Sequence, residues 1–157
     1  MTMPYTTLSK KQVRDYAEVF TPTWIVFLMV LQGGMRELVK GVDKTILDPC
    51  CGHGQFPCAE LVCKMFYNVD TLNEETALRT LASLYGIDIQ AASVDKAKAH
   101  LKATIADAYE FFTGKKFSVP PEVLDEILDR NFIVGDSLKI MNGWIEANSP
   151  PAQGSLF

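Results

Sequence analysis

The chain has 157 residues, 48% of them hydrophobic, and a mean hydropathy of +0.07, the size and composition of one globular domain with a single core rather than of a disordered segment. A net charge of −4 argues against a stand-alone nucleic-acid binder, because neutralising phosphates takes clustered Lys and Arg. The longest apolar run, Trp24 to Leu31, falls well short of the roughly 20 residues of a membrane helix, and Met1 is followed by no basic-then-apolar signal pattern, so a cytoplasmic protein without membrane partners is expected.

In chain order, Thr6 to Val19 reads as a short amphipathic helix ended by the Phe20-Thr21-Pro22 turn, since a residue before proline is biased out of the α region. Thr23 is placed to cap a second helix running to Leu31, and Gly33-Gly34 weakens or bends it before Met35 to Lys40. Basic Lys10, Lys11, Arg14, Arg36 and Lys40 outnumber acidic Asp15, Glu18 and Glu37 here, a mild excess that a solvated surface explains. Thr45 to Leu47 is a β-branched and aliphatic run, as expected of a strand buried on both faces, and a Gly52/Gly54 turn follows directly.

Phe56 to Phe66 then reads as a helix, and Asn73 with Glu74 and Glu75 caps another to about Ser83. Leu84 to Ile89 is a second strand. Val94, Ala97, Leu101, Ile105 and Ala108 recur at three- and four-residue steps, a long amphipathic helix reaching about Phe112. Pro120-Pro121 opens a shorter one with Val123, Leu124, Ile127 and Leu128 on one face, and Asn131 to Val134 is a third strand. From Met141 the chain turns polar and reads as a linker-like tail. The expected organisation is a helical segment 1–44, an α/β half domain 45–140 and a tail 141–157.

Strand, glycine turn, helix, strand, helix, strand is the βαβαβ half of a doubly wound, Rossmann-like fold, whose ligand belongs at the carboxyl ends of the strands. Three features fall there: Asp48 through Gly54, Asp88, and Gly135-Asp136. Glycines let the backbone approach a ligand, a helix N-terminus offers free N–H groups, and an acid ending the second strand is placed to accept from a ribose diol. A P-loop is excluded because no Gly-Lys-Ser/Thr follows, and a dinucleotide site is weakened by Pro57 at the third position of a GxGxxG pattern. A nucleoside with a small charged tail remains.

Cys50, Cys51, Cys58 and Cys63 lie in one segment with neither a second cluster to pair against nor CxxC spacing, so free thiols are expected. His53 reads as a partly exposed spacer in the glycine loop rather than as a proton carrier or substrate contact.

"VFTP" (Val19 to Pro22), "LDPCCGHGQF" (Leu47 to Phe56), "YGIDI" (Tyr85 to Ile89) and "IVGDSL" (Ile133 to Leu138), in this order, resemble the cofactor-binding half of the N6-adenine DNA methyltransferases, specifically type I-like modification subunits of restriction-modification systems. The match covers about residues 16–140. It implies a partial class I methyltransferase fold, strands 1–3 with flanking and N-terminal helices, that holds S-adenosylmethionine. It implies further that Phe20, Thr21 and Pro22 line the methionine end of the cofactor, that Asp48, Cys50, Gly52 and Gly54 form the turn beneath it, and that Asp88 accepts the ribose hydroxyls. Ile89 would pack on the adenine, Asp136 would accept its exocyclic amine, and Ser137 would lie beside it.

The chain departs from the family in one decisive respect. The catalytic Asn/Asp-Pro-Pro-aromatic motif, which holds a flipped adenine, is absent: Pro120-Pro121 precedes the third strand, and Asn148-Ser149-Pro150-Pro151-Ala152 has an extra serine and no aromatic. No catalytic residue is therefore assigned, and DNA would be engaged only through a fuller assembly. In the family's sheet the first strand lies between the second and a fourth, so here Thr45 to Asp48 would keep an open apolar edge. The expectation is an amino-terminal fragment of a longer methyltransferase, a self-associating chain, or one completed by a second polypeptide. The alternatives are a non-catalytic S-adenosylmethionine-binding or regulatory subunit and an unrelated nucleotide-binding α/β domain.

Overall fold

A computed structural model describes residues 21–148 of the chain. The helix expected over Thr6 to Val19, and Phe20 with it, lie outside the described residues. The elements are α1 (Thr23–Val30), α2 (Gly33–Val39), β1 (Ile46–Asp48), α3 (Gln55–Tyr67), a 3-10 turn (Val69–Thr71), α4 (Glu74–Ala82), β2 (Leu84–Asp88), α5 (Ala91–Thr113), α6 (Pro121–Asn131), β3 (Phe132–Val134) and α7 (Ser137–Asn148). The three strands form one parallel sheet in the order β1-β2-β3, with Ile46 opposite Leu84, Gly86 opposite Phe132 and Asp88 opposite Val134. The protein is therefore α/β with a small parallel sheet. No helix among the described residues is long and apolar enough to cross a membrane.

Because the strands advance in one direction, right-handed crossovers put the connecting helices on the same face of the sheet. That face carries Ile46, Leu84 and Phe132, all buried, and against them pack Leu61 and Met65 of α3, Leu101 and Ile105 of α5 and Leu128 of α6. Gly86 sits in this layer for lack of space: a Cβ there would lie 2.5 Å from the Phe132 ring and 3.0 Å from Cys51 Sγ. The alternate residues Leu47, Tyr85, Ile87 and Ile133 point to the opposite face, where Leu47 is 47% exposed and Ile133 is also exposed. A parallel sheet is ordinarily covered on both faces; here the second face is mixed, with Ile87 buried while Leu47 and Ile133 are exposed.

The element ends follow local chemistry. Asn73 Oδ1 accepts from Thr76 N–H at 2.9 Å and starts α4, Pro121 occupies the first turn of α6, and Gly114 ends α5 in the left-handed region. At α1, Pro22 rather than Thr23 holds the cap position, and no side chain caps the helix. The glycine pair does not merely bend a continuing helix. Gln32 is extended and Gly33 has φ +52°, so the chain turns and α2 begins at Gly33.

The polar tail expected from Met141 is corrected by α7, which runs through to Asn148 across the 140/141 boundary. Its cause is Asp136, whose Oδ1 accepts from the Leu138 and Lys139 N–H groups at 3.1 and 3.3 Å and so caps the first turn. Leu138, Met141 and Ile145 then follow at helical spacing and are exposed, as is Trp144; at the other end of the chain Trp24 on α1 is exposed too.

Candidate functional site

The carboxyl ends of β1 and β2 are joined by a small hydrogen-bonded structure. Asp48 Oδ1 accepts from Cys50 N–H at 3.0 Å, the Asx-type bond that starts the turn. Cys51 N–H donates to the Ile87 carbonyl at 3.0 Å, and Gly52 N–H donates to Asp88 Oδ2 at 3.0 Å. Asp88 Oδ1 accepts from Gln90 N–H at 2.9 Å, and the Asp88 carbonyl accepts from Gly135 N–H at 2.9 Å. Asp48, Gly52, Gly54, Asp88 and the Gly135-Asp136 step thus meet at one end of the sheet.

The two turn glycines are required for different reasons. Gly52 has φ +50° with open space where a Cβ would point, so only backbone conformation demands it. Gly54 has φ +82°, and a Cβ would also lie 3.0 Å from the Cα and Cβ of Ala97, where α5 packs on the turn. That packing corrects the reading of His53 as partly exposed: it is 2% exposed, its carbonyl lies 2.8 Å from His100 Nδ1, and Lys96 Nζ lies 3.4 Å from its Nε2. Burial first, and the neighbouring Lys96 charge second, lower its pKa from the ordinary 6.5, which keeps the ring neutral.

Asp48 has its pKa raised, chiefly by burial and further by the Asp88 carboxylate, against the opposing hydrogen bond from Cys50. All four cysteines are free thiols. Burial pushes Cys51 up to about 12 and Cys58 and Cys63 to about 11, which leaves them as small packing residues without nucleophilic character. Cys50 is exposed in the turn.

The other expected positions are less concentrated. Ile89 is exposed just beyond β2, and Ser137 is the first residue of α7. The Asp136 carboxylate is engaged as the cap of α7, with Lys139 Nζ 3.6 Å from its Oδ2. Thr21 and Pro22 stand before α1, and it is the far end of that helix, Met29 and Val30, that reaches β1.

There, beside the free edge of β1, is a cavity of about 300 Å³ lined by Met29, Val30, Met35 and Phe56, with Asp48 and Glu60 as its charged groups. Glu60 is 3% exposed and accepts no hydrogen bond from any described residue. Its pKa is raised from 4.5 to about 7, by burial first and the Asp48 charge second, with Lys64 opposing. Lys64, fully buried one turn later, donates to the carbonyls of Gly41 (2.9 Å), Val42 (3.2 Å) and Lys44 (2.6 Å) and to Ser83 Oγ (2.9 Å). Neither residue stood out in the sequence. The signal available was two charges inside Phe56 to Met65, a stretch otherwise apolar on every side.

Comparison of the chain with protein-family models, with curated proteins and with solved structures found no match.

Proposed function

We propose that this chain is the S-adenosylmethionine-binding part of an adenine-specific DNA N6-methyltransferase of a restriction-modification system, inactive in methyl transfer by itself. The observation that carries the reading is the Gly52/Gly54 turn tied to Asp88 at the carboxyl ends of adjacent parallel strands, built from motifs that follow one another in the order the resemblance requires. The residues present suit that cofactor. Open space faces Gly52, Asp88 keeps free lone pairs for a diol on oxygens that each accept one backbone N–H, and Ile89 offers an exposed apolar surface to a ring. Asp48 and Asp88, which repel one another, would be relieved by the ammonium and sulfonium charges of the ligand.

When bound, the cofactor supplies an electrophilic methyl group. This chain's residues would hold and orient it: Gly52 and Gly54 by close backbone approach, Asp48 by charge, Asp88 by accepting the ribose hydroxyls. The Asn/Asp-Pro-Pro-aromatic segment that would hold the target adenine is not in this sequence, so methyl transfer would require a further polypeptide segment.

Titration calorimetry with S-adenosylmethionine tests the reading. Saturable heat and thermal stabilisation are expected, and their absence would remove it. Asp88→Ala should weaken binding by roughly 1–3 kcal/mol, the loss of a charged acceptor; unchanged affinity refutes the role given to Asp88. A methyl-transfer assay on DNA with the isolated chain should show no turnover.

A further inference from the structure

An aromatic patch lies at the end of the molecule opposite the glycine turn. α3 begins at that turn and α5 packs on it through Ala97, so at about 1.5 Å per residue the last turns of both helices end roughly 15–20 Å away. There Phe66 is 57% and Phe111 74% exposed, and Val69, just past α3, is exposed too. The rings are continuous through the half-buried Phe112, whose centroid lies 6.2 Å from that of Phe66 and 5.3 Å from that of Phe111. Charge is ordered around Phe111. Asp107, one turn earlier on the same face of α5, and Glu110 are exposed, and beyond the left-handed Gly114 so are Lys115 and Lys116. None of these four forms an ion pair with a described residue, whereas Lys98 and Lys102 of the same helix are paired with Asp129 and Asp125 of α6 at 2.8 and 2.6 Å.

We propose that this patch is the contact surface of a homodimer, in which the last turns of α5 from two copies cross antiparallel at Phe111 about a two-fold axis. Such an axis turns Asp107 and Glu110 of one copy toward Lys115 and Lys116 of the other, and the same pairing recurs on the far side, as in any isologous contact. Phe66 and Phe111 of the two copies cover one another's rings. The charged rim fixes their direction, since a parallel crossing would set acid against acid and base against base. A phosphate polymer or an anionic membrane answers to the patch less well, because Asp107 and Glu110 would face it together with the lysines, and the chain carries a net charge of −4. Acid and base in the reverse order around an aromatic centre is what a second copy supplies by symmetry. The patch is small, so association is expected at about 10–100 μM rather than at nanomolar concentration. It lies apart from the strand-end turn and from the edge of β1, so the inference holds whatever binds at either.

Sedimentation equilibrium of the full chain, from about 5 to about 500 μM, tests the proposal and should show a reversible monomer–dimer equilibrium. Phe111→Ser, a change at an exposed side chain, should keep the native thermal midpoint and weaken dimerisation at least about tenfold. Asp107→Lys with Glu110→Lys, and separately Lys115→Glu with Lys116→Glu, give patches of a single sign. Each of these chains alone should stay monomeric, and an equimolar mixture should form heterodimers more tightly than the native chain pairs with itself, an effect that added salt weakens. The Phe111→Ser comparison stands even if a charge-swapped chain is less stable. A native chain that is monomeric at the highest concentration would overturn the proposal. So would undiminished dimerisation of Phe111→Ser, which would move the contact to another surface such as the edge of β1, or a mixture of folded charge-swapped chains that fails to associate.

Discussion

Glu60 and Lys64 sit one turn apart on α3, both buried, in opposite surroundings. Lys64 is enclosed by four oxygens, and Ser83 passes the network on by donating to the Thr80 carbonyl at 2.7 Å, so the loop 41–44, α3 and the end of α4 are held together through one ammonium. Burial pushes its pKa down to about 8, still above neutrality, so it stays charged and donating. Glu60 lines the cavity, and among the described residues it accepts no hydrogen bond, its charge opposed by Asp48 and offset only by Lys64. A folded chain tolerates a buried charge where the polar groups around it are matched, and where they are not the group shifts toward its neutral form.

The difference can be broken at its strong end first. Lys64→Met keeps the length of the side chain and removes the donor, stranding buried carbonyls of the 41–44 loop; urea unfolding should show a loss of about 3–5 kcal/mol, and a loss within error would mean the network is ornamental. Glu60→Gln should act in the opposite direction. A carboxyl with a folded-state pKa raised from 4.5 to about 7 binds its proton more tightly when folded, so its favourable contribution is complete below about 4.5 and is lost as pH rises toward about 7. The variant should lack that pH-dependent component and gain up to about 3 kcal/mol relative to the native chain at pH 7. An identical pH profile in both proteins would show that Glu60 is not the buried acid described. The smallest effect belongs to the Lys98–Asp129 pair, 2.8 Å apart but with Asp129 solvent-exposed. Asp129→Asn should leave the unfolding midpoint unchanged at physiological salt, which sharpens the contrast between solvated and buried charge.

Much of this architecture was legible in the residues. Ile46 to Asp48 and Leu84 to Asp88 each end in an acid after an aliphatic run, Asn73 caps where its side chain suggests, and the three- and four-residue steps from Val94 to Ala108 lie inside α5. The register that sets Asp88 under Gly52 could not be read, because it depends on β1 and β2 pairing across the two intervening helices α3 and α4. Nor could α7: Lys139, Asn142, Gly143 and Glu146 dilute its apolar pattern, and only Asp136 acting as its cap makes Leu138, Met141 and Ile145 cohere. Glu60 and Lys64 escaped for a different reason. At four residues apart they look like an ordinary surface ion pair, whereas the fold turns each toward a separate set of neighbours.

Trp24 and Trp144, the two tryptophans of the chain, stand 63% and 68% exposed on α1 and α7, away from the buried core. The emission of Trp24 in the folded chain should therefore already be close to that of a solvated indole, and unfolding will move its wavelength little. The same arrangement makes both rings reporters of the outside: an emission shift to the blue on mixing with another polypeptide would signal that one of these surfaces has been covered.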